Sequence, residues 1–227
     1  MEDLKKLQEN LILKTRRFHD ISDRIVEAFY KYPRHHFVPS RYSLKEAYID
    51  SALPLYKKDS MRSTISQPSF VLYLLELLNL HEGQKVFEVG AGSGWNAALM
   101  SYLVGEQGLV VSMEIIPEVA RSAKIAIENH DIKNVQVIIG DAGEGWAPDA
   151  PYDRMIFTAA APSLPDFVSR QLQDGGKVIY VQEGLWGMDE LQVLEKQQDS
   201  FTCVQRVPCH FVPMTGSTRD EPSKSQS

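Results

Sequence analysis

Glycines alternate with small residues in Glu88-Val89-Gly90-Ala91-Gly92-Ser93-Gly94. Without side chains at those positions a backbone can turn tightly and approach a ligand closely, at the point where a strand hands over to a helix. The dinucleotide fingerprint requires its third glycine three positions after the second, and that place is held by Trp95, which disfavours a nicotinamide or flavin enzyme. A Walker-type phosphate loop fails as well, because no Gly-Lys-Ser/Thr follows. Glu88, Glu114 and Asp141 each stand at the end of a strand-like run. The Glu114 carboxylate, a pure acceptor, can take two hydroxyls in bidentate fashion; the plainer reading makes all three solvated strand-end acids. Upstream, Thr64-Ile65-Ser66-Gln67-Pro68 presents a hydroxyl just before an apolar stretch. Ser66 can donate to an anionic substrate group or cap the following helix. No motif pairs it with an activating His and acid, so it does not read as a nucleophile.

The elements that must position these groups are legible from periodicity. Leu4, Leu7, Leu11, Ile21, Ile25, Ala28 and Phe29 recur at helical spacing and predict two amphipathic helices, the second closed by Pro33. Residues 40–67 read as loop with short structure. Pro68 suits the first turn of a helix whose body, 70–78, is apolar on nearly every side. After His81-Glu82-Gly83, strands at 85–89, 110–114, 135–139, 154–158 and 177–182 alternate with helices at about 94–104, 117–130 and 163–173. This is an α/β protein with a doubly wound, mostly parallel sheet, preceded by N-terminal helices. Such folds bind ligands at the carboxyl ends of the strands near the topological switch point. Residues 190–196 and 201–213 form an edge hairpin. We expect one domain over 1–214, with 1–67 as a helical and loop cap and 68–214 as the α/β core, followed by a disordered tail over 215–227 that has nothing apolar to bury.

Composition narrows the rest. The 227 residues carry a formal charge of −6 without a dense basic stretch, which argues against a dedicated nucleic-acid binder. Cys203 and Cys209 lack metal-ligand spacing and read as reduced, structural thiols. The first residues are acidic and no apolar run approaches about 20 residues, so the expectation is a cytoplasmic protein with no membrane association. His35 and His36 are adjacent, point different ways and have no third ligand nearby, which favours turn packing over a metal site; no metal is expected. Trp146 reads as packing, while Trp95 and Trp186 could pack or stack on a ligand.

The acid at 88 followed by alternating glycines resembles the cofactor loop of class I S-adenosylmethionine-dependent methyltransferases, a Rossmann-like fold. Further motifs resemble one family within it, the protein-L-isoaspartate (D-aspartate) O-methyltransferases. They are Phe37-Val38-Pro39, Ala47-Tyr48-Ile49-Asp50, Leu53-Pro54, the TISQP run at 64–68, Glu114-Ile115-Ile116-Pro117-Glu118, Gly145-Trp146, Thr158-Ala159-Ala160-Ala161-Pro162, Gly175-Gly176 and Phe211-Val212-Pro213-Met214. The likeness runs over roughly residues 24–214. It implies methyl transfer from S-adenosyl-L-methionine, with S-adenosyl-L-homocysteine as product, to the free carboxylate of an isoaspartyl residue in a peptide or protein acceptor. It implies Ser66 as the catalytic serine. It also implies cofactor contacts from Thr64, Ile65, Glu88, Gly90, Ala91, Gly92, Ser93, Gly94, Glu114, Ile115, Asp141 and Ala142, with Asp141 meeting the adenine amino group. Substrate contacts are implied for Ser66, Gln67, Thr158, Ala159 and Ala160. The small residues after the fourth strand either admit a substrate backbone or serve tight packing.

Two segments depart from the family pattern. A short Gly-x-Gly-Gln loop before TISQP is replaced by the longer, glycine-free Tyr56-Lys57-Lys58-Asp59-Ser60-Met61-Arg62-Ser63, and a Pro-Val-Gly after the fifth strand by Val181–Met188. Lys57, Lys58 and Arg62 either bind an acidic peptide or carboxylate or form a solvated loop. Three readings therefore stand: isoaspartyl repair, methylation of a different protein, peptide or small-molecule acceptor, and a cofactor-retaining binding module.

Overall fold

The computed structural model describes residues 2–59, 61–184 and 188–219. Two N-terminal helices, α1 (Glu2–Phe18) and α2 (Asp23–Lys31), lead through a 3₁₀ turn at Arg34–His36 to the short α3 (Leu44–Ala47). That helix starts on a capping box: Glu46 N donates to Ser43 Oγ, and the Glu46 carboxylate receives Ser43 N. Residues 53–65 are not loop. They form an antiparallel hairpin, β1 (Leu53–Lys58) and β2 (Met61–Ile65), with a register irregularity between Pro54 and Tyr56. The reason lies in β2, where Ser63 and Ile65 point inward and Arg62 outward, a period of two that proline and the charges mask in the sequence.

α4 (Pro68–Leu78) opens the alternating core: β3 (Lys85–Val89), α5 (Trp95–Val104), β4 (Leu109–Glu114), α6 (Pro117–Asn129), β5 (Val135–Ile139), β6 (Tyr152–Phe157), α7 (Phe167–Gln171), β7 (Leu172–Gln182), β8 (Asp189–Gln197) and β9 (Ser200–Cys209). The strands lie in the order β5-β4-β3-β6-β7-β8-β9. The first five run parallel, and β8 and β9 add antiparallel partners at the edge. The sheet is thus mostly parallel and doubly wound, as expected, and its switch point falls between β3 and β6.

Alternation along the strands sorts side chains to two faces. Val86, Val110 and Ile156 pack with Leu72, Leu75, Trp95 and Leu99 from α4 and α5, while Phe87, Val111, Met155 and Phe157 meet Phe167 of α7 and Tyr152. By the same alternation Glu88 faces the α4 and α5 side. No helix among the described residues is long and apolar enough to cross a membrane.

Some boundaries differ from the sequence expectation. The helix placed at 163–173 shortens to Phe167–Gln171, and β7 begins at Leu172 rather than at 177. Between the pairs Tyr152↔Leu172 and Arg154↔Lys177 the longer strand bulges, with Gly175 at φ 73°. β9 ends at Cys209, short of 213. The chain then crosses back to the end of β6, where Ala160 N donates to Val212 O and Met214 N to Ala160 O. The described residues reach into the segment expected as a tail. Residues 217–219 form a 3₁₀ turn in which Ser217 N donates to Asp141, so backbone pairing orders a stretch that has no apolar side chain to offer. Residues 220–227 lie outside the described residues, as does Trp186.

Candidate active site

The glycine loop leaves β3 beside β6, and three of its residues are left-handed: Gly90 at φ 93°, Gly92 at 52° and Gly94 at 80°. Gly90 has the stronger requirement. A Cβ there would stand 2.3 Å from Thr158 Oγ1, the hydroxyl that ties the end of β6 to the loop by donating to Gly90 O at 2.7 Å. Gly94 sits at the N-cap of α5 and does not reach the cavity wall.

Around this loop lie two adjoining cavities that share Thr64, Gly90, Gly92 and Thr158 as walls. One is closed by Glu114, Ile115, Ala142 and Ala159. The other holds Ile65, Ser66, Glu88, Ala91 and Ser93. Fourteen of the sequence-predicted residues therefore converge, Gln67 among them by way of the neighbouring groove described below. Asp141 and Ala160 do not line it. Asp141 accepts Gly143 N at 2.8 Å and Ser217 N at 2.6 Å, which engages both carboxylate oxygens with backbone amides beside the cavity. Ala160 is buried, its backbone paired with the returning 212–214 segment.

The two acids inside are held differently. Strand register sets Glu88 directly opposite Ser112, and the Glu88 carboxylate accepts from Ser112 Oγ and, at 2.6 Å, from Asn96 Nδ2 of α5. Burial pushes its pKa up to about 7, opposed by those two hydrogen bonds and assisted by the charge of Glu114. Glu114 accepts Gly92 N at 2.9 Å and Ile116 N at 3.1 Å. Burial raises its pKa as well, against the pull of the amides. Each of its oxygens still has a lone pair for a second donor.

Ser66 is not the cap of α4. The N-cap position falls to Gln67, whose side chain makes no capping bond and donates to Ser69 Oγ instead. The helix start is served from a distance, by Asp50 accepting Ser69 N at 3.1 Å. The Ser66 hydroxyl enters no hydrogen bond among the described residues, and it lines both the glycine-loop cavity and a groove of about 730 Å³ on its other side.

What holds Ser66 was missed by sequence reasoning. Arg34, fully buried, donates to Ala47 O (2.5 Å), Ser51 O (3.2 Å) and Ser66 O (3.0 Å), with its guanidinium carbon 5.6 Å from the centre of the Trp95 ring. Burial lowers its pKa to about 10, against the opposing charge of Asp50. The only available signal was an arginine between a helix-ending proline and the two histidines. Trp95 belongs to the core, donating through Nε1 to Tyr32 O, and Trp146 packs against the α7 side with its Nε1 on Asp149. His35 is hydrogen-bonded to Tyr48 Oη and His36 to His130 Nε2. Cys203 and Cys209 are unpaired.

With this geometry in view, comparison with known proteins is decisive. A family profile described as Protein-L-isoaspartate(D-aspartate) O-methyltransferase matches residues 5–219. The chain belongs to that family. It is 42% identical over 194 residues to the protein-L-isoaspartate O-methyltransferase of Pyrococcus abyssi, covering 85% of this chain and 86% of the relative. It is 38% identical over 209 residues to that of Methanothrix thermoacetophila, covering 92% and 95%. A solved protein-L-isoaspartate O-methyltransferase superposes with a TM-score of 0.86 at 32% identity, over 93% of this chain and 67% of the other. A Plasmodium falciparum structure, solved in complex with S-adenosyl-L-homocysteine, shares the fold with a TM-score of 0.77 at 22% identity, over 93% of this chain and 97% of the other.

Two outcomes test this account of the site. Arg34→Met leaves buried carbonyls without their donor, and we expect a loss of about 3 kcal/mol in urea denaturation; a loss below about 1 kcal/mol would remove Arg34 as the organising group. Glu88 gives a pH signature. Its folded pKa of about 7 lies above the ordinary 4.5, so the folded state holds the proton more tightly. Its contribution is therefore most favourable below pH 4.5 and is lost as pH rises towards 7, by roughly 3 kcal/mol in all. Glu88→Gln should flatten stability across that window, and parallel curves for the two proteins would exclude Glu88 as the source.

Proposed function

We propose that the protein esterifies the free α-carboxylate of L-isoaspartyl (and D-aspartyl) residues in damaged peptides and proteins, using S-adenosyl-L-methionine. The observation that carries this reading is the position of Ser66, whose hydroxyl stands on the wall between the glycine-loop cavity and the open groove.

The residues present fit the cofactor. Gly90 and Gly92 present backbone without side chains to both cavities, Glu114 keeps two lone pairs for a ribose diol, and the acids at 88 and 114 favour a cationic ligand. Asn96 Oδ1, buried without a partner, adds an acceptor beside Glu88. When bound, S-adenosylmethionine supplies an electrophilic methyl group on a sulfonium and departs as the thioether S-adenosyl-L-homocysteine. Thr64, Ile65, Glu88, the 90–93 backbone, Glu114, Ile115 and Ala142 would hold it, with Asp141 stiffening the Ala142 turn from behind.

No general base is required, because a carboxylate acceptor is ionised at neutral pH. The work left to the protein is alignment and removal of water. Ser66 Oγ–H would donate to one oxygen of the acceptor carboxylate and leave the other free as the nucleophile. Arg34 fixes the Ser66 backbone from the core side. Gln67 bounds the acceptor groove, while Thr158 and Ala159 wall the glycine-loop cavity that Ser66 adjoins. Two unpaired cysteines are consistent with residence in the reducing cytoplasm.

Incubation with methyl-labelled cofactor and an isoaspartyl peptide should yield a base-labile methyl ester, and the matching normal aspartyl peptide should yield none. Ser66→Ala should lower kcat by about 100-fold while binding of S-adenosyl-L-homocysteine, followed by calorimetry, stays within about threefold. Cofactor binding without ester on any isoaspartyl peptide would overturn the proposal.

A further inference from the structure

The groove beyond Ser66 runs between the β1–β2 hairpin and the 208–213 segment. Its floor is apolar, with Tyr56, Phe70 and Phe211, and its charged lining comes from Lys57 and Arg62. No Asp or Glu lines it, in a chain whose net charge is −6. Asp189, 3.9 Å from His210, is buried and accepts the amides of Gly184 and Phe211.

Hairpin register makes the local charge more pointed. Lys57 is the direct cross-strand partner of Arg62, so the two cations share one face of a two-stranded ribbon with Cβ atoms about 5 Å apart, an unfavourable pairing. Among the described residues neither has an acidic partner at ion-pair distance, whereas Lys177, Arg170 and Arg206 all do. An anion bridging Lys57 and Arg62 would relieve that repulsion. The sequence at this point is the longer, glycine-free 56–63 stretch that departs from the family pattern.

We propose that Lys57 and Arg62 select acceptors that carry an acidic side chain near the isoaspartyl residue; this deepens the repair reading above and rests on it. The spacing sets the register. Arg62 precedes Ser66 by four residues, about 13 Å of extended backbone. With the reach of the arginine side chain this corresponds to an acceptor position roughly two to four residues from the modified one. The apolar floor takes the intervening peptide, and the basic ribbon reads its charge. Lys58 follows Lys57 directly and so projects from the opposite face of the ribbon; it takes no part.

The test is a series of fluorescein-labelled isoaspartyl peptides with Glu, Gln or Lys at positions two to four on either side. Their binding is measured by anisotropy with S-adenosyl-L-homocysteine present, and their methylation in parallel. At low salt the best Glu peptide should bind about tenfold more tightly than its Lys counterpart, and the difference should shrink towards unity in about 1 M salt. Lys57→Glu combined with Arg62→Glu should reverse the order, and Lys58→Glu, an equal charge change on the other face, should leave it intact. Equal affinities across the wild-type series, or a preference that survives the double substitution, would overturn the inference. Charge-ordered binding with no methylation would uphold the groove and sink the repair reaction instead. Methylation of all peptides with equal KM would do the reverse.

Discussion

The site depends on one buried cation. From the turn after α2, Arg34 ties together two segments whose carbonyls it receives: the stretch from Ala47 to Ser51, and the Ile65–Ser66 exit of β2. Backbone carbonyls in such segments must find donors or reach water. A guanidinium is suited to this because several donors diverge from one rigid plane and stay charged when buried. Among the described residues no carboxylate lies within ion-pair distance of it; the charge is balanced by carbonyl dipoles, the Trp95 face and the more distant Asp50. Removing the cation therefore disturbs Ser66 and the hairpin base together, while the parallel sheet stays as it is.

The sheet makes the complementary contribution. Its chain order places β3 and β6 side by side at the switch point, so the glycine loop and Thr158 meet without any long-range design beyond strand pairing. Register then does local chemistry: the same row that pairs Glu88 with Ser112 turns a buried acid towards two donors. A charged group in that position would be prohibitive alone. With its hydrogen bonds and a raised pKa it is tolerated, and it gives the cavity a carboxyl whose charge depends on what binds beside it.

Legibility in the sequence followed the range of the interactions concerned. The glycine loop, Glu88 and Glu114 were readable because each is fixed by its own strand end. β3, α4 and β5 kept their bounds for the same reason. The 53–65 hairpin was not readable, since Pro54 and the cations at 57, 58 and 62 break the apolar alternation that would announce strands. Asp141 illustrates a third case: its place just past a strand end was readable and its bond to the Ser217 amide was not, because Ser217 is brought to it by the return of the chain past Ala160. Arg34 was invisible for a related reason. Its carbonyl partners lie between 13 and 32 residues away, and nothing in a linear pattern marks an arginine for burial.

The two sides of Ser66 differ in charge as well as in rigidity. On the cofactor side Glu88 and Glu114 are buried, hydrogen-bonded and fixed by the sheet; on the acceptor side Lys57 is exposed on a two-stranded ribbon, with Arg62 beside it at the rim shared by the groove and the Glu114 cavity. This asymmetry suits a reaction that joins a cation to an anion. An acidic cavity attracts the positively charged cofactor, and a basic rim attracts a carboxylate-bearing peptide, each by long-range fields that act before contact. Methyl transfer consumes both charges at once, converting a sulfonium and a carboxylate into a neutral thioether and a neutral ester. The attractions that assembled the complex are thereby weakened at the moment of reaction, which favours release of both products. A flanking acidic side chain, unlike the modified carboxylate, keeps its charge, so an acceptor chosen for that feature leaves more slowly than a neutral one. The strength of the Lys57–Arg62 contact is thus bounded from above by turnover, and a solvent-exposed pair on a short ribbon, screened by salt, sits in that range better than a buried clamp would.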